Sequence, residues 1–181
     1  PATTDAFLKS NIHALYNALT FAESCKPKLF IYLSTISVLG EVREKSVTEN
    51  SAIHNPDFYG TTKFLGEKLV QTFSEKVTTI AIRLPGIVGP NLPEGRPWLH
   101  TIAKKLQLGE DVEYYNPKSL FNNICDLWTI SDFIIHLSTR TNLQRCSTVN
   151  LAASEPIQLH RVIDLMRERL NSPSKITKQK A

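Results

Sequence analysis

The sequence predicts an α/β fold, a sheet whose strands are joined by helical crossovers. Two runs, residues 28–33 (Lys28-Leu29-Phe30-Ile31-Tyr32-Leu33) and residues 78–84 (Thr78-Thr79-Ile80-Ala81-Ile82-Arg83-Leu84), are rich in strand formers. The first is apolar on both parities, the pattern of a parallel strand buried on both faces. Stretches with apolar residues at three- and four-residue steps alternate with these runs, and such alternation signals crossover connections.

Residues 5–25 read as the first helix, because Leu8, Ile12, Leu15, Leu19 and Ala22 form one apolar stripe. Pro27 ends it, and residues 28–33 form the first strand. Gly40 and the polar stretch 41–55 predict a long surface loop. Residues 57–73 form the second helix, with Leu65, Leu69 and Phe73 at four-residue steps. The second strand, 78–84, runs into Pro85-Gly86-Ile87-Val88-Gly89-Pro90, a loop punctuated by Pro and Gly. Pro97 opens a third helix, Trp98, Ile102 and Leu106 line it, and Gly109 closes it. A Trp at such a helix start is expected in the core. Thr129 or Ser131 is expected to cap a short helix over 132–138, and residues 148–151 form a short strand. The last helix spans 158–170, with Leu159, Val162, Ile163, Met166 and Leu170 on one face.

At 181 residues the chain is long enough for one domain with a substantial core. Its 41% hydrophobic content and mean hydropathy of -0.17 are those of a soluble globular protein. No apolar run approaches the ~20 residues of a membrane span. Residues 1–5 have no basic start and no apolar core, so no secretion signal is expected there. Cys25, Cys125 and Cys146 form no pair or metal spacing. A sparse, odd count suggests a reducing compartment, hence a cytoplasmic location. His54, His100, His136 and His160 are scattered, so no metal site is expected. Between Arg161 and Ala181 six cations face Asp164 and Glu168, which accounts for the whole net charge of +4. No aromatic residue interleaves with those cations. A solvated helix end and a frayed basic tail from about residue 171 are therefore expected, and no nucleic-acid partner.

Tyr59-Gly-Thr-Thr-Lys63 carries the chemistry. A Tyr and a Lys four residues apart on a helix share one face. A free Tyr titrates near ~10, and a fixed ammonium beside it favours the phenolate. A hydroxyl from Ser34 or Thr35, at the end of the first strand, can hold a substrate oxygen against the phenol. Such a set moves a proton while a nicotinamide moves a hydride. The spacing alone also fits a surface Lys over a packed Tyr, so the ordered set of segments carries the argument.

That ordered set resembles the extended short-chain dehydrogenase/reductase family, whose best-known members are nucleotide-sugar epimerases and dehydratases. Phe30-Ile31-Tyr32-Leu33-Ser34-Thr35 matches the family's catalytic strand, Tyr59 and Lys63 match its Tyr and Lys, and Asn11 matches an Asn in the preceding helix. Residues 83–90 look like the segment under the nicotinamide. Trp128-Thr129-Ile130-Ser131-Asp132 and Val149-Asn150-Leu151-Ala152 look like later family segments. The resemblance implies a partial Rossmann-like, doubly wound parallel sheet over 1–90. Over 91–181 it implies part of a small C-terminal substrate lobe mixed with returning sheet elements. It implies NAD or NADP as cofactor and a small-molecule substrate of the nucleotide-sugar kind. The catalytic roles fall on Thr35, Tyr59, Lys63 and Asn11. Ser34, Tyr59, Lys63, Pro85, Gly86, Ile87 and Val88 are implied at the cofactor, and Thr35, Ser37 and Arg96 at the substrate.

The sequence departs from the family in two places. No Gly-x-x-Gly-x-x-Gly turn for the pyrophosphate is present. At ~30 residues per βαβ unit, roughly 60 or more residues are expected ahead of Pro1. Association is therefore expected, as a homo-oligomer or with that N-terminal half. Cys125 and Thr129 stand where many relatives carry Arg or His. A thioester, acyl or steroid-type reductase of the same family, and a non-catalytic dinucleotide-sensing or interaction module, remain alternative readings.

Overall fold

The computed structural model describes residues 3–90 and 98–179. In chain order the elements are α1 (Thr4–Leu8), a π-helical turn (Lys9–His13), α2 (Ala14–Cys25), β1 (Phe30–Thr35), a 3-10 turn (Ile36–Leu39) and α3 (Phe58–Phe73). Then come β2 (Thr79–Leu84), β3 (Gly86–Val88), α4 (Trp98–Leu108), β4 (Val112–Tyr115), β5 (Leu120–Phe121) and β6 (Ile124–Asp126). The chain continues through α5 (Leu127–Thr139), β7 (Cys146–Asn150), β8 (Ile157–Gln158), α6 (Leu159–Arg169) and β9 (Ile176–Gln179). Two compact units result, one of Pro1–Pro85 with Phe133–Leu151 and one of Gly86–Asp132 with Ala152–Ala181. The segment that returns to the first unit, Phe133–Leu151, carries the end of α5 and the strand β7.

The first unit is built on a parallel sheet of order β1-β2-β7. Its register places Ser34 opposite Arg83, and Arg83 opposite Asn150. One face carries Leu15, Leu19, Tyr32, Val70 and Ala81, the contact of α2 and α3 with the strands. The other carries Ile80, Ile82 and Leu137 with Ile31, Phe133 and Val149 around them, so helix covers both faces. This is the α/β, doubly wound arrangement the sequence predicts. The expected first helix forms, but Lys9–His13 within it are π-helical, which a 3.6-residue stripe does not reveal.

The helix α3 corrects the apolar reading of its stripe. Leu65 is exposed, and the buried positions are Gly60, Thr62, Gly66, Glu67 and Val70. Between Gly60 and Glu67 the helix meets the sheet through small and polar residues because it approaches closely there, and further along Leu69, Val70 and Phe73 pack on the core. A Cβ on Gly60 would stand 2.4 Å from the Ser37 carbonyl oxygen, and one on Gly66 would stand 2.2 Å from the Tyr32 hydroxyl. No side chain larger than hydrogen fits either point.

Among the described residues the second unit holds three two-stranded ladders: β3 with β6 and β4 with β9, both parallel, and β5 with β8, antiparallel. Its core is Ile102, Leu106, Val112, Tyr114 and Ile163, with Leu159, Met166 and Ile176 against it. Three expectations are revised here. Trp98 is not core: it is 44% exposed, edge-on to Phe121, and Leu99 is buried in its stead. The cap of α5 is Asp126, not Thr129 or Ser131, for the Asp126 carboxylate accepts from the Thr129 N–H at 3.0 Å and from the Thr129 hydroxyl at 2.5 Å. Those bonds hold the Asp126 carboxyl below its ordinary value. The basic tail is not frayed through Gln179. Ile176 packs on the core and Ile176–Gln179 pair with β4, while Lys178 reaches Asp164 at 3.6 Å.

Candidate functional site

The site begins where β1 ends. A parallel strand delivers its last residues to the edge where loops gather, and here those residues are Ser34 and Thr35. The Thr35 hydroxyl caps the 3-10 turn, accepting from the Ser37 N–H at 3.2 Å and meeting the Ser37 hydroxyl at 3.3 Å. Ser34 turns the other way. It is 3% exposed and donates to Glu67 Oε1 at 2.6 Å, between β1 and α3.

The facing helix starts at Asp57, whose side chain accepts from the Gly60 N–H at 2.7 Å. Gly60 then lets the first turn lie against the Ser37 carbonyl. This brings Tyr59 and Lys63, one turn apart on one face, to the end of β1. The Tyr59 ring packs on Phe7 with centroids 5.7 Å apart, and its hydroxyl makes no hydrogen bond among the described residues. Lys63 Nζ donates to the Leu33 carbonyl at 2.9 Å and lies 5.1 Å from the centre of the Tyr32 ring. Burial lowers the Lys63 pKa from its ordinary value. With one N–H engaged, the ammonium keeps two for a ligand. Burial first, then the Glu67 carboxylate and Tyr59, push the Tyr32 phenol far above its ordinary range.

Asn11 sits in the π-helical turn, and its amide donates to Thr62 Oγ1 at 3.0 Å. The Thr62 hydroxyl donates in turn to the Tyr59 carbonyl at 2.9 Å. Asn11 therefore holds α3 at the turn that carries Tyr59 and Lys63.

Asn11, Ser34, Thr35, Ser37, Tyr59 and Lys63 all lie in the first unit, with Pro85 buried at its end. Gly86, Ile87 and Val88 form β3 of the second unit, opposite Ile124, Cys125 and Asp126. Arg96 lies outside the described residues. Sequence reasoning missed Glu67, which forms a buried ion pair with Arg83. Its position one turn after Lys63 gave no signal by itself, since the apolar stripe predicted for this helix runs through Leu65, Leu69 and Phe73.

A sequence model described as the NAD dependent epimerase/dehydratase family matches residues 2–136. The uncharacterized UDP-glucose epimerase YtcB of Bacillus subtilis (strain 168) is 26% identical over 165 residues, 87% of this chain and 50% of that protein. Among solved structures, the UDP-N-acetylglucosamine 4-epimerase of Methanobrevibacter ruminantium M1, in complex with UDP-N-acetylmuramic acid, superposes with a TM-score of 0.82 at 17% identity. That match covers 96% of this chain and 56% of the other. The UDP-glucuronic acid 4-epimerase of Bacillus cereus, in complex with NAD, gives 0.80 at 19% identity, covering 99% and 61%. The chain spans about half the length of the curated relative it matches. Fold, motif order and family match agree: this chain belongs to the NAD-dependent epimerase/dehydratase family of extended short-chain dehydrogenases/reductases.

Proposed function

We propose that the protein carrying this chain is an NAD- or NADP-dependent nucleotide-sugar epimerase or dehydratase, with Tyr59 as acid and base. The observation that carries the reading is the placement of Tyr59 and Lys63 on one face of α3, against the strand end that bears Thr35. The UDP-sugars and NAD in the solved relatives support the substrate and cofactor class. The residues present fit a nicotinamide ribose, because the Lys63 ammonium, one N–H engaged at the Leu33 carbonyl, has two left for a ligand at the end of the sheet, one helical turn from Tyr59.

A bound nicotinamide supplies the acceptor, and later the donor, of a hydride. The chain's own residues handle the rest. Lys63 holds the ribose hydroxyls and keeps a positive charge beside Tyr59. Tyr59 takes the proton from a substrate hydroxyl as the adjacent C–H bond gives up its hydride, and returns it in the reverse step. Thr35 rotates its hydroxyl from Ser37 to the substrate oxygen, where charge develops. Asn11 fixes the turn beneath Tyr59. Pro85 and residues 86–88 are assigned to the nicotinamide, and Ser37 and Arg96 to the substrate. Three unpaired thiols, Cys25, Cys125 and Cys146, fit a reducing, cytoplasmic setting.

The test is Tyr59→Phe in the protein that carries this chain, assayed with NAD and UDP-glucose. Turnover should fall by ~10²-fold or more, with NAD affinity little changed. Near-normal turnover would demote Tyr59 to a packed ring.

A further inference from the structure

The contacts that seat α3 on β1 fall on three consecutive residues. Gly66 abuts the Tyr32 phenol, Lys63 bonds the Leu33 carbonyl, and Glu67 accepts from the Ser34 hydroxyl. The third is the most elaborate. Glu67 Oε1 accepts from Ser34 at 2.6 Å and from Arg83 Nε at 2.9 Å, while Oε2 accepts from Arg83 Nη2 at 2.8 Å. Arg83 Nη1 donates onward to the Glu49 carbonyl at 3.3 Å. Glu67 is 7% exposed and Arg83 is 5% exposed.

A pair this buried is poor evidence of stability. Desolvation offsets most of the Coulomb gain, and apolar residues of like volume often serve as well. A planar bidentate clamp does supply fixed geometry. Ser34 and Arg83 are register partners on neighbouring strands, so the Glu67 carboxylate ties α3, β1 and β2 at one level, a single residue before Thr35. A slip of α3 by one residue would move Tyr59 by about 1.5 Å. A misplacement near 1 Å is enough to slow a reaction by about 10²-fold.

We propose that Glu67 is a positioning residue of the Tyr59–Lys63 site: clamped by Arg83 and bonded to Ser34, it fixes the seat of α3 against the strand end that carries Thr35. The inference rests on the reading of Tyr59 as acid and base.

The experiment replaces both charges at once, Glu67→Met with Arg83→Met, in the protein that carries this chain. The melting temperature should stay within about 3 °C of the parent. With NAD and UDP-glucose, kcat should fall at least ~10-fold while KM stays within about twofold. A folded double variant with parental kcat overturns the proposal. Should the double variant fail to fold, Glu67→Asp keeps the charge and shortens the reach by one methylene. It should lower kcat with KM held, and parental kcat there overturns the proposal equally. Should the parent protein turn over neither UDP-glucose nor other UDP-sugars with NAD or NADP, the functional reading fails, and the seat is tested apart from it. NMR of labelled lysine in whichever variant folds should then show the Lys63 titration moving back toward its ordinary value as α3 loosens. An unmoved Lys63 signal overturns the proposal.

Discussion

Gly66 and the Tyr32 phenol compete for one point in space, since a Cβ on Gly66 would stand 2.2 Å from the phenolic oxygen. Gly66→Ala should therefore destabilise the protein by about 1–2 kcal/mol, because overpacking outweighs the gain in helix propensity. Tyr32→Phe in the same background removes the nearest clashing atom and should recover part of the loss. Urea midpoints of the two variants check this, and a neutral or stabilised Gly66→Ala would sink it.

Lys63 makes stability depend on pH. Its pKa in the fold is lowered from the ordinary 10.5 by burial. Between the lowered value and the ordinary one, the unfolded chain binds more protons than the folded chain. Stability should therefore rise with pH across that window, and the cost of burying the ammonium should be fully present below it. Urea midpoints of the parent and of Lys63→Met, followed upward from neutral pH, should diverge in slope there. Parallel curves would show that the ammonium is not desolvated.

The isolated chain should bind NAD and NADP weakly. On the proposed reading Lys63 serves the ribose, but the sequence has no Gly-rich turn to cradle a pyrophosphate. Calorimetric titration should show no tight association. A micromolar dissociation constant would mean that the phosphates have another seat on this chain.

The same chain should associate when purified alone. Among the described residues β1 pairs only with β2, and Leu33 on it is 42% exposed. An uncovered edge with apolar neighbours recruits a partner strand or surface. Light scattering is the direct check, and a stable monomer with a cooperative melt would contradict the expectation.

The legible parts of the site were those with local signatures. Ser34, Thr35, Tyr59 and Lys63 lie in short strings whose order along the chain is specific. Glu67 was not legible, since a Glu on an amphipathic helix reads as solvated until the strand opposite is known to present Arg83. Leu65 misled for the complementary reason: the close approach at Gly60 and Gly66 puts small residues against the sheet there and leaves Leu65 exposed, while Leu69 and Phe73 of the same row still pack on the core. The strand β9 has only four residues and a partner far away in sequence, so nothing local distinguishes it from a tail. Asp126 was passed over because its strand ends directly at the helix it caps.

The division of the chain also has a consequence for its synthesis. The first unit needs β7 to finish its sheet, but the ribosome must first release all of Gly86–Asp132, which belongs to the second unit. The second unit in turn waits for β9 to complete its ladder with β4. Each unit is held half made while part of the other emerges, so neither matures as an independent early folder. Such interleaving puts non-local pairing late, where nascent chains are slow and exposed to aggregation. In a cell this stretch of chain should lean on chaperones at least until β9 leaves the exit tunnel.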